Sequence, residues 1–209
     1  MTSAPTPPPR SGPRPRWFTD LDPGHSHAYV TRFRQMATEG ADLVGEARLV
    51  DALVPPGSRV LDAGCGPGRV GAELHRRGHR VVGVDADSVL IAAACGDHLG
   101  PTWLHADLST LDLAAHGVVD PFDAVVCAGN VMPYLAPGTE RDVLARLAEH
   151  VRPDAVAVFG FGVDRGYPLD TFDTDLAATG WQLEHRFATW DLRPWEDAGD
   201  FAVSIVRWS

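Results

Sequence analysis

Three glycines and one aspartate occupy seven consecutive positions in the first third of the chain. Asp62 is followed by Gly64, Gly66 and Gly68 within the run VLDAGCGPGRV at residues 60–70. Strand-forming residues precede the glycines and a segment with helical spacing follows them. The pattern therefore predicts a strand, a tight turn and a helix N-terminus. A turn without side chains lets a bound cofactor approach the backbone closely, and Asp62 would orient that turn.

A second aspartate ends the next predicted strand. Asp85 follows residues 79–84 and stands 21 positions beyond Gly64. Ligands of parallel α/β sheets bind at the carboxyl ends of the strands. A carboxylate there can accept hydrogen bonds from both vicinal hydroxyls of a ribose. Asp85 is therefore predicted to bind a nucleoside. Nicotinamide sites use an acid at similar spacing, so Asp85 alone does not identify the nucleoside.

The glycine spacing distinguishes between the cofactors. A dinucleotide-binding turn reads G-x-G-x-x-G, whereas here the third glycine comes only two positions after the second. The form D-x-G-x-G-x-G resembles the first motif of the class I S-adenosylmethionine-dependent methyltransferases. An NAD-dependent oxidoreductase is the alternative. It is disfavoured by this spacing and by the lack of a Tyr-x-x-x-Lys pair, because the chain contains no lysine. A glycine turn without a ligand is the simplest other reading.

The resemblance implies S-adenosylmethionine (SAM) as the cofactor and assigns roles along the chain. The glycine turn would lie beneath the methionine portion, and Asp62 would meet its ammonium group or only cap the turn. Asp107 would accept from the exocyclic amine of adenine, and Ala86 would leave room for the adenine face. Asn130 would position a nucleophile or the amino acid group of the cofactor, or serve only as a turn residue. The predicted cofactor-binding residues are Tyr29, Asp62, Gly64, Cys65, Gly66, Gly68, Asp85, Ala86, Ala106, Asp107, Leu108, Ala128 and Asn130.

The elements that position these residues alternate along the chain. Strands are predicted at residues 59–63, 79–84, 101–105, 121–128 and 155–161, and helices at 68–77, 87–95, 139–151 and 169–179. This alternation predicts a doubly wound parallel sheet. Two final strand-like runs, at 181–190 and 201–208, should pair antiparallel. The arrangement resembles the seven-stranded, Rossmann-like methyltransferase fold of class α/β. That fold has strand order 3-2-1-4-5-7-6, one antiparallel strand and helices on both faces.

Three regions are predicted within a single domain. Residues 1–16 are rich in proline and arginine and are expected to form a disordered tail. Residues 17–57 should form a helical cap of two amphipathic helices with a break near Gly40. Residues 58–209 should form the SAM-binding core. In the cap, Tyr29 would point into the site and Arg34 would meet a carboxylate, or the helix would serve only for packing.

No catalytic residue is assigned, because a sulfonium already activates its methyl group and the acceptor need only be aligned with it. If a base is used, His25 or His27 leads, followed by Tyr134 and Tyr167. The loop after the fifth strand, at residues 160–170, should help to cover the substrate. Its shortness favours a small-molecule acceptor.

Composition excludes several classes of partner. The net charge of −10 argues against nucleic acid. No apolar run approaches the roughly 20 residues that span a bilayer, and the N-terminus resembles no secretory signal. Three scattered cysteines and the absence of H-E-x-x-H predict a cytoplasmic protein without a metal site. A monomer or homodimer is expected. A SAM-binding regulatory module without catalysis remains the alternative function, and aminopropyl transfer on the same fold is a weaker one.

Overall fold

The computed structural model of the chain describes residues 13–196 and 199–209. Most of the tail predicted at residues 1–16 lies outside the described residues. Arg16, which was assigned to that tail, instead begins a helix. Its backbone N–H donates to the carbonyl of Leu135 over 3.3 Å. The cap therefore starts at least one residue earlier than predicted.

Seven strands form one sheet in the order β3-β2-β1-β4-β5-β7-β6. Every strand is parallel to the others except β7, which runs antiparallel to β5 and β6. The predicted fold class and strand order are confirmed. The strands are β1 (Arg59–Ala63), β2 (Arg80–Asp85), β3 (Thr102–His105), β4 (Phe122–Cys127), β5 (Val151–Gly162), β6 (Trp181–Phe187) and β7 (Phe201–Trp208).

Eight α-helices lie among the described residues. They are α1 (Arg16–Thr19), α2 (His25–Thr38), α3 (Gly45–Leu53), α4 (Arg69–Arg76), α5 (Ser88–Asp97), α6 (Val131–Tyr134), α7 (Glu140–Glu149) and α8 (Leu169–Ala178). The break between α2 and α3 falls at the predicted position near Gly40. Asp87 caps α5, because its side chain accepts from the backbone N–H of Val89.

Helices on both faces of the sheet explain why its central strands are apolar almost throughout. Alternate residues of one strand point to opposite faces. Thus Val60 of β1 packs with Leu74 of α4, whereas Leu61 packs on the other face with Leu144 of α7. All four side chains are 0% exposed. Two separate cores therefore hold the sheet and fix the ends of its strands.

Two predicted strand boundaries are wrong. β5 begins at Val151 rather than residue 155, because Val151 pairs with Phe122 before a register shift in the β4–β5 ladder. Asp154, with φ of 64°, accommodates that irregularity. β6 ends at Phe187 rather than residue 190. There the chain turns back, and the N–H of Ala188 donates to the carbonyl of Arg193.

Candidate functional site

A cleft of about 890 Å³, including its open mouth, lies at the carboxyl ends of the parallel strands. This is the edge where strand order reverses between β1 and β4, the usual ligand position in such sheets. Residues of α1 and α2, the first two helices of the cap, also line the cleft. The predicted residues that line the cleft are Tyr29, Asp62, Gly64, Cys65, Gly66, Asp85, Ala86, Asp107, Leu108, Ala128 and Asn130.

Two predicted residues, Gly68 and Ala106, do not line the cleft. Gly68 has φ of 86°, and a Cβ there would lie 3.0 Å from Ala94 and from the Trp103 ring. Its lack of a side chain therefore lets the start of α4 pack closely against α5 and β3. The backbone N–H of Ala106 is bonded to the carbonyl of Asp85, and its side chain packs against the core. Both positions are explained by packing.

The glycine turn is tied to the end of β2 by its backbone. The N–H groups of Gly64 and Cys65 donate to the carbonyl of Val84 over 2.8 and 3.0 Å. The N–H of Gly66 donates to Oδ2 of Asp85 over 2.8 Å. A Cβ on Gly66 would have only the Tyr29 ring nearby, at 3.9 Å. Any side chain at this position would therefore project into the cleft.

Asp85 links the glycine turn after β1 to the loop after β2. Its Oδ2 accepts from Gly66 and its Oδ1 accepts from the N–H of Asp87 over 2.8 Å. A carboxylate offers about four acceptor positions, so each oxygen retains one for a ligand. Burial raises the pKa of Asp85 to about 6, although the two backbone donors oppose this shift. At neutral pH the group is therefore an ionised acceptor facing the cleft.

Asp62 is buried at the end of β1. It is 2% exposed, and its Oδ2 accepts from the N–H of Gly71 in the first turn of α4 over 2.8 Å. Burial raises its pKa to about 7. The side chain thus fastens α4 to the end of β1, while its edge also lines the cleft. Its role towards an ammonium group stays a prediction.

The raised pKa of Asp62 predicts a distinct pH dependence of stability. The folded state favours the protonated carboxyl, so the contribution of this group is complete below pH 3.8 and is lost as pH rises to about 7. We expect Asp62→Asn to gain stability relative to the wild type by roughly 2–4 kcal/mol between pH 4 and pH 8. Urea unfolding without ligand measures the difference, with Asp142→Asn as an exposed control. Parallel pH profiles for Asp62→Asn and the wild type would refute it.

Asp107 and Asn130 are each partly engaged by the protein. Oδ1 of Asp107 accepts from the backbone N–H and hydroxyl of Ser109, whereas Oδ2 has no partner within the described residues. Asn130 has φ of 66°, and its Oδ1 accepts from the N–H of Gly162 over 2.7 Å. The side-chain oxygen of Asn130 therefore joins the ends of β4 and β5. Only its amide nitrogen is left to face a ligand.

Aromatic side chains outside the predicted cofactor-binding set form much of the cleft wall. They are Trp17 and Phe18 of α1, Phe33 of α2 and Tyr134 of α6. Trp17 meets Tyr29 edge-to-face at 5.5 Å and Tyr134 at 5.8 Å. The sequence signal was the cluster of aromatic residues directly after the proline-rich tail. The cap thus contributes a largely apolar roof.

Arg69 is the one cationic side chain among the described residues that line the cleft. Two of its nitrogens donate to Glu46 over 2.6 and 2.7 Å, and its guanidinium lies 5.3 Å from the Phe33 ring. Glu46 therefore neutralises this charge locally. No group of three or more His, Cys, Asp or Glu residues suited to a metal ion occurs in the part of the chain that the structure describes.

The structure does not support the predicted roles of three cap residues, Arg34, His25 and His27. Arg34 makes a bidentate pair with Asp97 on the exposed side of α2, so the carboxylate that it meets belongs to the protein. Nδ1 of His25 lies 2.9 Å from the carbonyl of Asp22, and His27 is exposed. Neither histidine lines the cleft. The loop after β5 does not line it either, and its Arg165 carbonyl instead accepts from Arg16.

Tyr167 was a candidate base, but it lies in the core. Its hydroxyl donates to Asp175 over 2.9 Å, and the side chain is 3% exposed. We expect Tyr167→Phe to lower the free energy of unfolding by roughly 1.5–3 kcal/mol, the usual worth of a hydrogen bond to a charged group. Tyr134→Phe is the matched control, since that hydroxyl has no partner within the described residues. Equal stability of the two variants in urea would contradict the assignment.

Comparison with known proteins identifies the family. Residues 60–154 match the family described as a methyltransferase domain. A TehB-like SAM-dependent methyltransferase from Corynebacterium glutamicum is 39% identical, with a TM-score of 0.84 over 90% of this chain and 100% of that one.

Two curated relatives match a shorter segment. A magnesium-protoporphyrin O-methyltransferase of Rhodobacter capsulatus is 37% identical over 123 residues, which is 57% of this chain and 53% of that one. An uncharacterised methyltransferase of Mycobacterium tuberculosis is 40% identical over 108 residues, 50% of this chain and 51% of that one. The chain thus spans about half the length of these curated relatives. Together with the observed strand order, the comparisons show that the chain belongs to the class I SAM-dependent methyltransferases.

Proposed function

We propose that this protein transfers the methyl group of SAM to a small-molecule acceptor that binds beneath the cap. The proposal is carried by one observation: the glycine turn and Asp85 share a hydrogen bond at a cleft that an aromatic cap covers. The turn leaves open backbone, the carboxylate leaves free acceptor positions, and the cap restricts access by water.

The cleft fits this cofactor by shape and by chemistry. The space beside Gly66 is one that a side chain would fill, as a closely bound methionine portion requires. The two acceptor positions left on Asp85 match a ribose diol, and the free Oδ2 of Asp107 suits an exocyclic amine. Asp85, which is ionised at neutral pH, and the neighbouring acidic side chain of Asp107 give the cleft a negative potential that attracts a cation.

Bound SAM supplies a methyl group that is already activated by the sulfonium. The protein must therefore hold the acceptor atom about 3 Å from that methyl and in line with the departing sulfur. The aromatic side chains of the cap exclude water from this region. Tyr134, which lines the cleft, is the remaining candidate base among those predicted.

The charges of the cleft favour an uncharged acceptor. Arg69 is occupied by Glu46, so the described lining offers no free cation for a carboxylate or phosphate. Nucleic acid is disfavoured for the same reason. One relative is named a magnesium-protoporphyrin O-methyltransferase, which agrees with a small-molecule acceptor.

We also propose a cytoplasmic location. Cys65, Cys95 and Cys127 are all free thiols, as a reducing compartment would keep them. No helix in the described ranges is both long and apolar enough to cross a membrane.

The reaction is tested by following formation of S-adenosylhomocysteine from SAM. Uncharged phenols, thiols and aromatic amines would be compared with carboxylated analogues of the same size. We expect turnover with members of the uncharged set and slower turnover with their carboxylated partners. SAM binding without turnover on any acceptor would instead support the regulatory module.

A further inference from the structure

Asp87 joins three parts of the molecule. It is 3% exposed and lies directly between β2 and α5. Its Oδ2 accepts from the indole N–H of Trp17 over 2.8 Å and also from the hydroxyl of Ser26. Its Oδ1 accepts from the N–H of Val89 over 2.8 Å. One carboxylate therefore binds α1, α2 and the start of α5 at once.

The backbone of Asp87 continues this connection into the cleft. Its N–H donates to Oδ1 of Asp85, and Oδ2 of Asp85 accepts from Gly66. An unbroken series of hydrogen bonds thus runs from Trp17 in the cap to the glycine turn. The N-cap of α5 uses only Oδ1 of Asp87. Its Oδ2 therefore binds only the helices that cover the cleft.

The donors also keep Asp87 charged. Burial alone would raise its pKa, but the hydrogen bonds from Ser26, Trp17 and the backbone outweigh burial and lower the pKa. A carboxylate that lost the Trp17 and Ser26 donors while remaining buried would be strongly unfavourable. The cap therefore either stays in contact with Asp87 or moves away and admits water.

The position of Trp17 determines the roof of the cleft. Its ring packs edge-to-face against Tyr29 and Tyr134, which both line the cleft. Displacing Trp17 from Asp87 would remove the support on which these contacts depend. The hydrogen bond between Trp17 and Asp87 thus helps to shape the part of the cleft that an acceptor must occupy.

We propose that Asp87 is a positioning residue that couples closure of the cap to binding of the nucleoside at Asp85. The coupling rests on the proposed function, since the nucleoside is that of SAM. Binding at Asp85 fixes the loop that carries Asp87, and the fixed loop holds Trp17 and Ser26. Such coupling is reciprocal: the factor by which SAM binding favours the closed cap is also the factor by which closure of the cap increases the affinity for SAM.

Three variants separate this role from simple packing. Ser26→Ala removes a donor to Asp87 at a residue that does not line the cleft. Trp17→Phe keeps an aromatic ring and removes the N–H. Asp87→Asn can still cap α5 through its oxygen but presents an NH₂ group to the two cap donors. Trp195→Phe, at a tryptophan outside the cleft lining, is the matched control.

The readouts are the Kd for SAM by calorimetry and hydrogen exchange of residues 16–38 with and without SAM. We expect SAM to slow exchange of the cap in the wild type and in Trp195→Phe. Each of the three variants should bind SAM roughly tenfold more weakly, the effect of losing about 1.4 kcal/mol. In these variants SAM should also protect the cap much less.

Two results would overturn the coupling. One is a Kd within twofold of the wild type together with full protection of the cap in Ser26→Ala and Trp17→Phe. These two variants retain Asp87 as the N-cap of α5, so they test the coupling even if Asp87→Asn fails to fold. The other is weaker binding with undiminished protection, which would indicate a purely local effect. Absence of SAM binding by the wild type would refute the proposed function itself, and the coupling with it.

Discussion

Asp85→Ala is expected to weaken SAM binding by roughly 2–4 kcal/mol. The substitution removes two hydrogen bonds between an ionised acceptor and the ribose hydroxyls, each worth about 1.5–3 kcal/mol and less than additive. It also releases the N–H groups of Gly66 and Asp87, which the carboxylate holds over 2.8 Å. Calorimetric titration with SAM measures the change.

The pH dependence of binding provides an independent check on Asp85. Because the pKa of this group lies at about 6 in the free protein, the Kd for SAM should fall as pH rises towards 7 and then level off. Asp142→Ala, an exposed acid on α7, should behave as the wild type does. Unchanged affinity of Asp85→Ala for SAM would show that the ribose does not bind at Asp85.

Gly66→Val is expected to reduce SAM affinity more than about 100-fold, or ~3 kcal/mol. A Cβ at this position meets only the Tyr29 ring, at 3.9 Å, so a branched side chain would occupy the space of the cofactor. With φ of 55°, the substitution also costs folding stability, by about 1–2 kcal/mol. Binding by calorimetry and melting temperature together separate the two effects.

Gly68→Ala is the informative comparison for that variant. Its new Cβ would crowd Ala94 and Trp103 instead of the cleft, so the melting temperature should fall while the Kd for SAM stays near the wild-type value. Normal SAM binding by Gly66→Val would exclude the glycine turn from the cofactor site.

The sheet could be predicted because its signals are local. The run at residues 122–127 is apolar except for Asp123 and is bounded by turn residues, which is typical of a buried central strand. The placement of Asp85 then follows from topology, since the carboxyl ends of parallel strands meet at one edge. Cleft-lining positions at the ends of β1, β2 and β4 were predicted for this reason.

The cap contacts could not be predicted because they join distant residues. Trp17 and Asp87 are 70 positions apart, and Glu46 and Arg69 are 23 apart. The spacing of apolar and polar residues along the chain does not reveal contacts between residues so far apart. The packing at Gly68 could not be predicted for a related reason: its spacing within the motif does not reveal that Trp103 lies against it. Tyr167 and Arg34 likewise found partners within the protein, which residue type alone does not show.

Titration of the wild-type protein with SAM, with S-adenosylhomocysteine and with NAD tests the central assignment most directly. We predict saturable heat release with both adenosyl compounds at a stoichiometry of one, and none with NAD. Binding of NAD in place of SAM, or no heat with either adenosyl compound at millimolar concentration, would contradict the account.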